Sequence, residues 1–393
     1  MKLGKGNFQV VQKDARVALS EGSMKNGFKV LDSDMHVYDP PDLYLEYMDP
    51  KWGDRIPRGE WPKGHGRVEF HYGDGTVLRP RTERIETGEK KIARHHTEGP
   101  KRGYDPVSQL DAMEREGLDV AVLFRTSPLY ADDSFEPEYA MALCQAWNNW
   151  ITDFCKQDRA RLKPSAVIPM HDVGFAVKEV RRTVRELGAI GLSIGPEPVR
   201  GKQLHDRYFD PLWAEAQALD VAVCFHPPAS PRSEQASKRF EGHPNDKILV
   251  NAFRNPVEQM FAVGSMCGGG VLERFPKLRV SFLEGNCSWL PWTLYRLDER
   301  FELAGELADA PLKLKPSEYF KRQCFISVDV DEELIADTVR QLGPDCFVIS
   351  TDYPHIDSKW PHALDSFLAI RGLDKKTQEK ILWDNCARLY KVQ

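Results

Sequence analysis

Four residues stand where short apolar runs give way to polar chain. Asp34 and His36 lie near the end of Lys29–Val37, His226 closes Val221–His226, and Asp352 closes Cys346–Asp352. Asp34 and His36 are separated by one residue. Strand side chains alternate with a period of two, so both reach the same face. Taken alone, Asp-x-His reads equally as a capping aspartate and a packed core histidine. Four such residues at strand ends read differently. Two imidazole nitrogens and two carboxylate oxygens suit Zn, Mn or Fe, with positions left open for water. Further candidates end other apolar runs: Arg125, Glu284, and Asp329 or Asp331, with His355 just beyond Asp352. Arg125 is expected to pair bidentately with a substrate carboxylate. Glu284 is expected to act as a general base on metal-held water or, with His355, to hold a second metal ion. His355 is otherwise a proton carrier. Trp289, with Trp292, is expected to wall the pocket.

The elements that must position these groups follow a regular rhythm. Short apolar runs centre near residues 30, 121, 165, 190, 222, 280, 325 and 347, and helical patterns separate them from the second onward. Continuous apolar runs are what parallel strands covered on both faces require. Eight such units predict an α/β fold, a (β/α)8 TIM barrel, whose active site lies at the C-terminal ends of its strands. No G-x-G-x-x-G follows the first strand, which argues against a dinucleotide fold. Residues 1–28 read as an N-terminal arm and 29–393 as one barrel domain. Insertions are expected at about 50–105, after strand one, and at 227–252, after strand five. The Lys90–His96 stretch inside the first reads as a solvated basic loop face.

Composition narrows the class. The chain has 393 residues, 41% hydrophobic and 29% charged, so a sizeable core is available. With 54 basic and 59 acidic residues the formal charge is −5, the wrong sign for a general nucleic-acid binder. No apolar run approaches the roughly 20 residues of a membrane span. The N-terminus lacks the apolar core of a signal peptide. Eight scattered cysteines without C-x-x-C spacing read as reduced, buried thiols. A cytoplasmic enzyme with a small-molecule substrate, no nucleic-acid partner and no membrane partner is expected.

Three stretches carry a family likeness: Asp32-Ser-Asp34-Met-His36, Phe225-His226-Pro227-Pro228, and Ser350-Thr-Asp352-Tyr-Pro-His355. With them the sequence resembles the amidohydrolase-related family (amidohydrolase family 2), metal-dependent TIM barrels that include aminocarboxymuconate semialdehyde decarboxylase. The resemblance spans about residues 29–391. It implies that Asp34, His36, His226 and Asp352 take the ligand roles, and that the protein forms a homodimer or higher homo-oligomer. Two departures matter. Asp34 stands where the wider superfamily often has the first histidine of His-x-His, which favours a harder metal. Glu284 stands at the end of strand six, where the decarboxylases of this family carry a catalytic histidine. Strand four has no lysine, so the carbamylated-lysine bridge of binuclear amidohydrolases is absent. The expectation is therefore a metal-dependent hydrolase in which metal-activated water attacks a carbonyl-type carbon. The alternatives are non-oxidative decarboxylation of a carboxylated aromatic or enal, and a dinuclear Fe/Mn oxygenase.

Overall fold

The computed structural model describes residues 25–60, 68–73, 75, 77, 78, 99, 102–126, 133–227, 234–309, 311–355 and 357–393. Most of the N-terminal arm, the Lys90–His96 run and residues 228–233, among them Pro228, lie outside the described residues.

The eight expected strands are present. β1 spans Leu31–Val37. A small three-stranded antiparallel sheet follows it: β2 (Arg58–Glu60), β3 (Glu69–His71) and β4 (Val77–Leu78). The remaining barrel strands are β5 (Val120–Arg125), β6 (Leu162–Val167), β7 (Gly191–Ile194), β8 (Ala222–Phe225), β9 (Val280–Phe282), β10 (Cys324–Asp329) and β11 (Phe347–Ser350). Their order is β1-β5-β6-β7-β8-β9-β10-β11, with parallel pairing throughout. Helices between successive strands, such as Pro137–Cys155 and Leu290–Ala304, cover the sheet. Most strand positions are apolar because one side faces these helices and the other the barrel interior.

The ends of the sheet meet through side chains. The Ser33 hydroxyl donates to the Ile349 carbonyl at 2.6 Å, and the Ser350 hydroxyl donates to the Asp34 carbonyl at 3.2 Å. The Thr351 hydroxyl donates to the Asp32 carboxylate beside them. The β1–β5 register slips between Asp32 and Met35: Asp32 pairs with Ala121 and Met35 with Leu123. Ser33 and Asp34 thus share the space opposite one residue, a bulge of the kind that re-aims a side chain.

The floor of the barrel is closed by the C-terminal helix Asn385–Tyr390. Tyr390, 3% exposed, crosses the interior from below. Its hydroxyl donates to the Ser33 carbonyl on β1 at 2.7 Å and lies 3.7 Å from Cys224 Sγ on β8. Gly191 makes room for the ring, since a Cβ there would sit 3.1 Å from Tyr390 Cε1. Tyr390→Phe should lower stability by about 1 kcal/mol, the net worth of one buried hydrogen bond. The urea midpoint reads this; an unshifted midpoint would mean that the hydroxyl does not brace β1.

Two expectations of loop are shortened. The 50–105 excursion contains β2–β4, whose two- and three-residue strands are too brief to show a period. The insertion expected at 227–252 becomes helical at Asp246, in a helix that spans Asp246–Val263 and so starts several residues before the expected end of the insertion. None of the described helices is long and apolar enough to cross a membrane.

Candidate metal centre

The strand ends bring six expected residues to one place. Asp34 and His36 come from β1, His226 follows β8, Glu284 follows β9, and Asp352 and His355 follow β11. His36 Nε2 lies 3.1 Å from His226 Nε2, 3.6 Å from Asp34 Oδ1, 3.7 Å from Glu284 Oε2 and 3.4 Å from Asp352 Oδ1. His226 Nε2 lies 3.5 Å from Asp34 Oδ1 and 3.0 Å from Glu284 Oε2. His355 stands against His36 with ring centroids 3.9 Å apart, its Nδ1 2.6 Å from Asp352 Oδ1 and its Nε2 3.3 Å from Thr126 Oγ1. The cluster has a closed floor and an open rim: Asp34 and His36 side chains are fully buried, whereas Glu284 and Asp352 are 27% and 25% exposed.

Each group is aimed by its surroundings. His36 Nδ1 sits 2.9 Å from the Arg125 carbonyl, which fixes a proton on Nδ1 and turns the Nε2 lone pair inward. The His36 amide is held by the Tyr353 carbonyl at 2.7 Å. The His226 ring stacks on Phe124 at 5.4 Å. Glu284 and Asp352 adopt left-handed backbone conformations, φ 52° and 55°. Non-glycine residues rarely do so, and such outliers concentrate at functional sites.

The electrostatics ask for a cation. Burial, then repulsion from Glu284, Asp352, Asp32 and Asp329, pushes the Asp34 carboxyl well above the usual carboxylate range. Both of its oxygens are buried without a hydrogen-bond partner. Burial, then repulsion from His355 and His226, holds His36 well below the ordinary imidazole value. Burial also lowers His226. For Glu284 burial acts upward, but the His226 hydrogen bond, with the charges of His226, His355 and Arg254, outweighs it and brings the group to about 2. Neutral imidazoles beside crowded carboxylates form a donor set for a divalent ion. His36, Glu284, Asp352 and His355 make one group able to hold a metal, and Asp34, His36 and His226 another.

The family model described as Amidohydrolase (Amidohydro_2) matches residues 32–392. The chain belongs to this family. A 2-amino-3-carboxymuconate-6-semialdehyde decarboxylase from Dictyostelium discoideum is 29% identical over 283 residues, covering 72% of this chain and 75% of that protein. A gamma-resorcylate decarboxylase from Polaromonas sp. is 26% identical over 294 residues, covering 71% and 85%. Among solved structures, an amidohydrolase from Mycobacterium avium subsp. paratuberculosis superposes with TM-score 0.74 at 22% identity, over 93% of this chain and 98% of that one. A dihydroxybenzoic acid decarboxylase from Polaromonas sp. with bound manganese gives 0.64 at 18%, over 93% and 97%. The last two establish a shared barrel.

The hydrolase expectation is overturned by these relatives, which are decarboxylases. That expectation leaned on Glu284 standing where a histidine was sought. A single strand-end substitution does not outweigh similarity spread over some 70% of the chain.

Other candidates fall elsewhere. Arg125 gives the cluster its carbonyl, while its guanidinium is buried. The Trp289 indole donates to the Gly285 carbonyl at 2.7 Å and packs half-buried on the core, and Trp292 is exposed. Asp329 accepts from Asn286 at 2.5 Å, and Asp331 pairs with Lys359. Burial, then repulsion from Glu332 and Glu284, pushes Asp329 up to about 7.

Supporting residues were not picked out from sequence. Asp32 accepts from the Asp34 amide at 3.0 Å and from Thr351. On the helix Asp246–Val263, Asn255 donates to Glu284 Oε1 at 3.3 Å. Gln259 donates to the carbonyls of Phe225 and Leu283, at 2.9 and 2.7 Å, which immediately precede His226 and Glu284. Asn255 and Gln259 are four apart and share a helix face. Sequence spacing shows that face but not what it touches.

Proposed function

We propose that this protein is a metal-dependent non-oxidative decarboxylase of a carboxylated aromatic or enal-type substrate. One observation carries the metal: Asp34 is fully buried, both its oxygens lack hydrogen-bond partners, and two imidazole Nε2 atoms face it at 3.5–3.6 Å. An isolated carboxylate is too costly to keep in such a place without a compensating charge. The decarboxylases among its relatives support the reaction.

In this reading Asp34, His36, His226 and Asp352 hold the ion. Hard carboxylate oxygens beside imidazole favour manganese, which the Polaromonas neighbour also binds. A bound divalent ion supplies a Lewis acid for the substrate carboxylate and a neighbouring oxygen. The Arg125 carbonyl keeps His36 in the tautomer whose Nε2 is free to bind. His355, oriented by Asp352 Oδ1 2.6 Å from its Nδ1, would carry the proton that replaces the carboxyl group. The carbon–carboxyl bond breaks, its electron pair remains on the substrate carbon, that carbon takes the proton, and carbon dioxide leaves. Phe124 shields the inner side of the centre from water.

The test is carbon dioxide release from ortho-hydroxylated aromatic carboxylates and a carboxylated enal. Chelator-treated protein should be inactive, and Mn(II) should restore turnover. Metal-loaded protein that releases no carbon dioxide from any of these substrates would overturn the reading.

A further inference from the structure

We infer that Glu284 is a fifth protein ligand of this centre, making it a site for a five- or six-coordinate ion rather than a tetrahedral one. The inference rests on the assignment of Asp34, His36, His226 and Asp352 as ligands. Donors held at about 2.1 Å from one ion stand about 3.0 Å apart when at right angles, about 3.4 Å at tetrahedral angles and about 3.6 Å at trigonal angles. The separations from His36 Nε2 to His226, Asp352, Asp34 and Glu284 are 3.1, 3.4, 3.6 and 3.7 Å. Those from His226 Nε2 to Glu284 and Asp34 are 3.0 and 3.5 Å. Five of the six fall in that range, and the His36–Glu284 separation of 3.7 Å lies at its edge. Glu284 Oε2 lies within 3.7 Å of both imidazole donors. A base acting through an intervening water would stand farther back.

The surroundings of Glu284 fit a ligand with one oxygen committed. Asn255 Nδ2 donates to Oε1 at 3.3 Å and leaves Oε2 for the cluster. Gln259 pins the Leu283 carbonyl, and the Ser327 hydroxyl receives the Glu284 amide at 3.1 Å. Holding the Leu283–Glu284 peptide group at both its carbonyl and its amide in this way fixes the direction in which the side chain leaves the chain. Three carboxylates on one divalent ion leave the first shell anionic, which favours a hard ion that takes oxygen donors and a high coordination number. Zn(II), which prefers four donors, gains less from the fifth. With five protein donors, one position of an octahedron stays open on the exposed side where Glu284 and Asp352 lie.

Cobalt(II) substitution reads the coordination number without turnover. The native protein should show the weak visible bands of a five- or six-coordinate ion. Glu284→Ala should show the intense bands of a tetrahedral one, and Glu284→Asp should partly restore the native spectrum. Mn(II) affinity should fall by about a hundredfold or more in Glu284→Ala, beyond the range of supporting-residue changes, with Zn(II) affected less. An unchanged cobalt spectrum with Mn(II) affinity within about threefold of native would overturn the inference, as would intense tetrahedral bands in the native protein itself. Neither readout uses decarboxylation, so failure to release carbon dioxide refutes the proposed reaction and leaves this assignment standing.

Discussion

His226→Ala strips the protein of its metal and lowers kcat/KM by roughly a thousandfold or more, about 4 kcal/mol of transition-state stabilisation. The imidazole is buried at the centre of the cluster, 3.1 Å from His36 Nε2, 3.5 Å from Asp34 Oδ1 and 3.0 Å from Glu284 Oε2. Truncation removes one of two nitrogen donors and leaves Asp34 and Glu284 without the group that separates their charges. Metal analysis after gel filtration should find well under one equivalent where the native protein retains one. Trp292→Ala, an exposed change on the helix Leu290–Ala304, should keep both metal and rate. His226→Ala that retains a full equivalent of metal would move the centre away from this residue. Retained metal with lost rate would make His226 a catalytic group and not a ligand.

The legible part of this molecule is the part governed by one dominant, local effect. Most barrel strands are largely apolar runs, and burial on two faces leaves that mark in the sequence. β8 was expected at 221–226 and spans Ala222–Phe225, and β10, expected near 325, spans Cys324–Asp329. Strand polarity and the rim rule then placed Asp34, His36, His226, Glu284 and Asp352 together. What stayed hidden depends on local backbone irregularity or on distant partners. β1 carries a bulge between Asp32 and Met35 that no period reveals. Tyr390 reaches Ser33 across 357 positions of chain, and Gln259 reaches two strand ends from a helix whose start was placed several residues late. Such contacts follow from the closed barrel and become visible only once it is built. The reaction was misjudged for a related reason: one residue type at one strand end was given the weight that belongs to the whole donor set.

Gln259→Leu should uncouple the two strand ends that present His226 and Glu284. The side chain is fully buried, and its amide donates to the Leu283 and Phe225 carbonyls. Phe225 also accepts from the Leu283 amide at 2.9 Å and keeps that bond. The Leu283 carbonyl loses the Gln259 donor, at about 1–3 kcal/mol for a buried acceptor left unsatisfied. Leucine is close in size, so little of the loss comes from a cavity. Gly285 reports the tightness of this packing: a Cβ there would lie 2.8 Å from Gln259 Cγ. With Leu283 released, Glu284 and His226 sample wider orientations, and Mn(II) affinity should fall about 10–100-fold, as for other residues that orient metal ligands. Urea denaturation of the metal-free protein and Mn(II) titration of the folded protein separate the two effects. A lowered midpoint with unchanged Mn(II) affinity would reduce Gln259 to a packing residue. Both falling together make it the brace that sets the distance between His226 and Glu284.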